Sequence, residues 1–456
     1  MNFKRKRTVL LQNGDTVRNQ VKHLLIILTI FLFSLNIISC SSSDTGSSTT
    51  SISWVKQFGT SSDDFSNYLS IDSSENIYIV GTTTGKLNGN NNFGGDDIFL
   101  IKYDNSGNIK WTRQIGSTDN DSGNRVSVDS SNNVYITGYV KGSLDNNTYI
   151  SNRDSFLIKY DSEGNKKWSI QFGTVDWDTA YGIHTDKFNN IYVVGNSHGS
   201  MDNLTQFGNA DLFLSKYDSN GVNQWTRQIG SSAFEICWDI KLDSLGNSYV
   251  VGRTDGSIEG TNYGSADAVL LKYDSNGNKI WSKQFGTSKQ DHAISLSIDS
   301  LDNVYVTGST QGDLGGTNKG CDDGIGETCF NRDIYLSKYD SSGNHQWINQ
   351  IGTGADDQGW RMTVDFKDNV YITGYTNGDL EGNTNIGNSD IFILKYNTGG
   401  IKQWTELFGT SVEDKSTGIY VDSNENIFLS GYTQGSLNGN INKGGFDSFL
   451  LKMVIK

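Results

Sequence analysis

Seven times along this chain an acid stands eight positions before an Asp that opens a short polar turn: Asp64, Asp121, Asp178, Glu235, Asp291, Asp357 and Asp414. A second series is Asp97, Asp154, Asp211, Asp267, Asp333, Asp390 and Asp447. A ring of carboxylates has the chemistry to hold Ca²⁺, which takes six to eight oxygens. The same acids could instead cap their own turns or pair with a Lys that recurs beside them. Equal repetition favours the structural role, because every unit meets the same folding problem and a ligand site rarely needs seven equal copies. The turns DSSEN and DSSNN lack the Asp-x-Asp-x-Asn-Gly spacing of a calcium loop. A calcium-stabilised repeat stays open as an alternative, with no cofactor otherwise expected.

Chemistry specific to this chain should lie where the repetition fails. Three Trp fall outside the repeated positions: Trp177, Trp238 and Trp360. Each is expected in a loop just ahead of a strand, where Trp is a common binding anchor. Polar residues that vary from copy to copy, among them Arg125, His184, Lys241 and Arg361, are expected to face a shared axis and could shape a pocket there. The histidines lie in different copies without metal-ligand spacing, and no GxSxG or phosphate-binding Gly-rich loop is present. These residues point to binding rather than catalysis. An enzyme or cofactor binder with a site at the axial channel is the alternative.

The elements that position these residues follow from one unit written seven times. Trp recurs at 54, 111, 168, 225, 281, 347 and 404, and each is followed five residues later by Gly. Asn-x-Tyr-x-x-Gly and Lys-Tyr are further landmarks, with Phe428 and Met453 as departures in the last copy. The copy from Leu69 to Gly116 holds four apolar runs separated by Gly, Asn, Asp and Ser. Period-2 alternation and short turns predict four strands, here 68–72 (A), 76–83 (B), 97–104 (C) and 108–116 (D). A four-stranded antiparallel unit repeated seven times is an all-β, seven-bladed β-propeller. The unit resembles the SBBP repeats of bacterial secreted proteins, and its order of landmarks is also similar to NHL-type repeats. The resemblance covers residues 53–456 and implies the fold, with no agreed chemistry.

Trp54 belongs to a strand D with nothing before it, and the chain ends on a strand C beginning at Asp447. The N-terminal strand is therefore expected to complete the last blade and close the ring. The long D–A and B–C loops then share one face and the tight A–B and C–D turns the other. The chain enters strand D at its tight-turn end, which leaves the long-loop face for a protein or glycan partner.

Residues 1–52 read as an address and a tether. A basic leader precedes an apolar run of about 15 residues, Leu24 to Ile38, short for a membrane span. The exit, Ile37-Ile38-Ser39-Cys40, resembles the lipobox of bacterial lipoproteins. That resemblance implies cleavage before Cys40, a lipid on its thiol, and anchoring in the cell envelope, here expected at the outer membrane. Residues 41–52, rich in Ser and Thr, follow as a flexible linker. Cys321 and Cys329 lie in an insertion in the fifth copy and read as a loop disulfide in an exported chain, while Cys237 is expected to be buried. A net charge of −14 argues against a nucleic-acid partner. A monomer is expected.

Overall fold

Four strands pair in sequence order within each repeat. In blade 1 they are A, Asp64–Ile71; B, Ile77–Thr83; C, Asp97–Tyr103; and D, Ile109–Ile115. The computed structural model describes residues 50–150, 152–258, 260–319 and 331–455. Cys40, Cys321 and Cys329 lie outside the described residues. Seven four-stranded antiparallel sheets form the seven blades. In the seventh, Thr50–Phe58 pairs with Asp447–Ile455, from Thr50↔Ile455 to Phe58↔Ser448, with a β-bulge between Ile52 and Trp54. The ring is thus closed by the N-terminal strand, which removes the free edge. Three residues of the expected linker, Thr50, Ser51 and Ile52, belong to this strand, because their partners Ile455, Val454 and Met453 continue the ladder.

Strands B and C are apolar on both faces because each blade packs between two others. Tyr78, Ile79, Val80, Phe99 and Leu100 have no exposed surface. Each such side chain contributes about 1.5–3 kcal/mol by leaving water. The cores run between blades: Phe58, Phe428 and Leu450 of blade 7 cluster with Leu69, Ile77 and Phe99 of blade 1.

The repeated polar residues are used in holding this ring together. Asp72 takes the Ser74 and Asn76 amides at 2.9 Å each, and its other oxygen takes Asn76 Nδ2 and the Tyr78 hydroxyl, both at 2.9 Å. That is an Asx-type turn, and it accounts for the Asp-x-x-x-Asn-x-Tyr landmark. The Lys of strand C does not pair with either acid series. Lys102 Nζ lies 3.9 Å from Asp72 and donates to the Ser162 carbonyl of the next blade at 2.9 Å. The repeated Trp supports the same junction, with Trp111 Nε1 donating to Ser162 O at 3.1 Å.

Both acid series cap loops. Asp64 accepts from the Thr60 amide at 2.5 Å and from the Thr83 hydroxyl at 2.5 Å. Asp97 accepts from the Phe93 amide at 2.8 Å and from Gln114 Nε2 at 2.7 Å. Both side chains are fully buried at the base of the long loops. Among the described residues, no group of three or more His, Cys, Asp or Glu converges as metal ligands.

Strand A departs from its expected bounds. It begins at Asp64, four residues earlier than the alternation indicates, because a β-bulge at Asn67 breaks the period. All seven strands A carry this bulge, at equivalent positions.

Candidate functional site

A bulge places two residues opposite one, so it turns a side chain out of the regular alternation. In strand A, the innermost strand, that side chain turns toward the ring axis on the long-loop side. The bulged residues are Asn67, Asn124, Tyr181, Trp238, Ile294, Trp360 and Thr417. All seven line a single funnel of 390 Å³ at the channel mouth.

The funnel has two unlike walls. Blades 3 to 6 contribute Tyr181, Trp238, Ile294 and Trp360 in succession. Blades 7, 1 and 2 contribute Thr417, Asn67 and Asn124. These polar side chains also brace the ring. Thr417 Oγ1 donates to Ser66 O at 2.7 Å, Asn67 Nδ2 to Gly123 O at 2.9 Å, and Asn124 Nδ2 to Ala180 O at 2.9 Å. Each bond reaches the neighbouring blade just ahead of its bulge.

The aromatic wall is held from behind. Trp360 Nε1 donates to Gln358 Oε1 at 3.0 Å, and Gln358 Nε2 donates to the Tyr375 hydroxyl at 2.7 Å. Tyr375 packs edge-on to Trp360, with ring centres 5.0 Å apart. Trp238 lies against His292, with ring centres 5.6 Å apart. Arg253 Nη1 lies 2.9 Å from His292 Nε2. A guanidinium only donates, so this imidazole nitrogen is the acceptor. Burial, with Arg253 and Arg332 nearby, pushes the His292 pKa down to about 3, so the ring is neutral.

Directly beneath the bulges, a charged layer closes the channel. Arg125 Nη2 lies 3.5 Å from Asp239 Oδ1 and donates to the Trp238 carbonyl at 3.1 Å. Ser295 Oγ donates to Asp239 Oδ2 at 2.8 Å. Arg361 Nη1 donates to the Trp360 carbonyl at 2.6 Å. The Arg125 guanidinium stacks on Tyr68, 4.2 Å from the ring centre, and Lys241 Nζ approaches the Tyr68 hydroxyl at 3.5 Å. Burial acts to raise the Asp239 pKa, and the cations of Arg125, Lys241 and Arg361 outweigh it, so the carboxyl is held below its usual range. A second chamber of 300 Å³ lies below, on the tight-turn side, and is lined in part by Lys241 and His184. Burial pushes the His184 pKa down to about 3.

The residues singled out from sequence therefore separate. Trp238, Trp360 and Arg361 meet in the funnel, Arg125 and the Lys241 ammonium lie in the layer beneath it, and Lys241 and His184 also line the chamber below. Trp238 and Trp360 are not loop residues: they sit inside strands Glu235–Leu242 and Asp357–Val364, at the bulges. Trp177 alone is in a loop, half-exposed on the outer rim beside Arg153 and His198, and it does not line the funnel. Sequence reasoning did not select Asn67, Asn124, Tyr181, Ile294 or Thr417. A usable signal exists, since each stands five residues before the Asp of its A–B turn.

The SBBP β-propeller repeat model matches seven segments, at residues 53–88, 110–144, 167–200, 224–259, 280–315, 346–381 and 403–438. Regulatory protein FlaEY of Caulobacter vibrioides is 25% identical over 359 residues, spanning 70% of this chain and 37% of that protein. The uncharacterized WD repeat-containing protein L264 of Acanthamoeba polyphaga mimivirus is 23% identical over 445 residues, spanning 76% and 32%. The chain thus spans only about a third of the length of these curated relatives. Among solved structures, the Neurospora crassa Pan2 WD40 domain aligns with a TM-score of 0.49 at 11% identity, over 90% of this chain and 97% of that one. A gluconolactonase, XC5397 of Xanthomonas campestris, aligns with a TM-score of 0.40 at 9% identity, over 79% and 91%. On the seven matched segments and the seven blades they build, the chain belongs to the SBBP β-propeller repeat family.

Proposed function

We propose that this protein is a non-catalytic binding scaffold of the bacterial cell envelope, lipid-anchored at Cys40, that takes a glycan in the funnel on its long-loop face. The observation that carries the reading is the convergence of seven symmetry-related bulge residues that are chemically unlike. Three aromatic rings stand on one side and two carboxamides and a hydroxyl on the other. Aromatic faces stack on the C–H faces of sugar rings, and amides and hydroxyls bond their hydroxyl groups. Binding rather than turnover is supported by the state of the nearby ionisable groups. Asp239 is held in an ion pair and His292 is neutral and engaged by Arg253. The names of the two curated relatives, one regulatory and one a WD repeat protein, are in keeping with a binding role.

The test is retention of the full-length protein, in detergent, on a glycan array. Wild type should be retained by at least one glycan class. Trp238→Ala and Trp360→Ala should each weaken that retention at least about tenfold, the effect of losing one stacking contact of about 1.4 kcal/mol. Trp177→Ala should leave it unchanged. Retention that survives the loss of both funnel Trp would place the ligand elsewhere.

A further inference from the structure

We propose that the funnel selects acidic saccharides, with Arg361 as the residue that receives the carboxylate. The inference rests on the glycan reading above and adds the charge of the ligand. The layer beneath the funnel holds three cations, Arg125, Lys241 and Arg361, against one carboxylate, Asp239, which leaves a formal excess of two positive charges. Asp239 is already committed. One oxygen faces Arg125 at 3.5 Å, and the other takes the Ser295 hydroxyl at 2.8 Å and the Leu296 amide at 3.3 Å.

The guanidinium groups are correspondingly under-supplied with acceptors. Arg125 is 1% exposed, and its Nε and Nη1 have no hydrogen-bond acceptor among the described residues. Arg361 spends Nη1 on the Trp360 carbonyl, and its Nε likewise has no acceptor. Neutral carbonyls and the Tyr68 ring, 4.2 Å from Arg125 and 5.8 Å from Arg361, are weak substitutes for an anion. A buried charge without a counter-charge is costly, so a ligand that brings one gains more here than it would at the surface. Burial and the neighbouring Arg125 cation push the Arg361 pKa down to about 9, which still leaves it charged at neutral pH and in need of an anion.

Of the two guanidiniums, Arg361 is the one that lines the funnel, beside Trp360 and Gln358. A sugar ring lying on the Trp238–Trp360 wall therefore has a fork-shaped cation at the funnel floor. Guanidinium is the group that pairs with carboxylate through two parallel hydrogen bonds. Other ionisable groups around the mouth have partners of their own. Arg253 is shared between His292 and Asp255, and Asp356 accepts from Gln358 and Tyr375. The molecule as a whole carries a charge of −14, so general electrostatic attraction works against an acidic ligand. Selection for one has to come from this local layer.

The experiment uses full-length protein in detergent on an array that pairs uronic-acid and sialic-acid glycans with their carboxyl-reduced counterparts, at 150 mM salt. Wild type should favour the acidic member of a retained pair at least tenfold. Arg361→Gln should bind both members of that pair alike, at the level of the reduced one. Arg361→Lys should keep part of the preference, because it keeps the charge without the fork. Melting temperatures of the variants separate a lost contact from a lost fold. Equal retention of acidic and reduced glycans by wild type overturns the charge selection and leaves the glycan reading standing. A preference unaltered in a folded Arg361→Gln overturns the assignment to Arg361. No retention on any glycan overturns both readings.

Discussion

In five of the seven copies the Gly that follows the repeated Trp by five residues sits between two buried carboxylates. A Cβ on Gly116 would stand 2.4 Å from Asp97 Oδ1 and 3.0 Å from Asp121 Oδ2. Gly116→Ala should therefore lower the thermal midpoint even though the residue touches no ligand, and a melt by circular dichroism reads this directly. The carboxylates themselves should make stability depend on pH. Burial, the largest effect, pushes Asp357 up to about 6 against the lowering hydrogen bonds from Thr376 and Thr353. A raised carboxyl pKa means that the folded state favours the proton. The stability it contributes is fully present below about 3.8 and is lost as pH rises through about 6. His184 and His292 work in the opposite direction, since their depressed values withdraw stability as pH falls below about 6.5. The clean measurement is therefore wild type against Asp357→Asn. The stability of wild type relative to the variant should fall on going from pH 4 to pH 8, by on the order of 2 kcal/mol. A flat difference would mean that Asp357 has no raised pKa in the folded protein.

At the scale of the strand, the bulge in strand A decides where function can sit. It turns one residue per blade into the funnel and sets the next residue in the layer below. Asn67 and Tyr68, Asn124 and Arg125, and Trp360 and Arg361 are such pairs. The polar bulge residues also brace adjacent blades, whereas the aromatic wall of blades 3 to 6 gives up that bond in exchange for ring surface. The outer strand of blade 7 makes a different contribution. Deleting residues 50–58 removes the buried Val55 and Phe58 and reopens the edge at Asp447–Ile455. Two such side chains amount to about 3–6 kcal/mol, which predicts a fall in melting temperature on the order of 10 °C. An unchanged melt would show that closure adds nothing to stability.

At the scale of the molecule, the two faces differ. The long-loop face opens into the funnel. The tight-turn face is where the described chain begins, at Thr50, and it exposes Phe188, Leu245, Leu301 and Phe366 on the A–B turns of blades 3 to 6. Cys40→Ser should abolish incorporation of labelled palmitate into the protein without changing the melting temperature of the propeller, as read by metabolic labelling and a thermal melt. Labelling that survived in the variant would exclude Cys40 as the lipidated residue.

The blade was legible in the sequence because its causes are local. Apolar alternation gives the strands, and the Asp, Asn and Gly of the turns give the hairpins. The repetition of Trp and Gly shows that one junction is built seven times. The unpaired first and last strands, at Trp54 and Asp447, gave the closure. The site was legible only in part. Trp238, Trp360 and Arg361 stood out as departures from the repeat, yet they read as loop and strand residues of separate copies. Alternation alone does not place the bulge, so it does not set Asn67 and Thr417 apart from other polar positions. Arg125 and Asp239 are 114 residues apart in the chain and meet only because seven inner strands converge on one axis. Local sequence determines a blade, since in six of the seven the turns and strand pairings close within one stretch of chain. Which side chains share the channel is decided by the ring, because that neighbourhood exists only once all seven blades have packed.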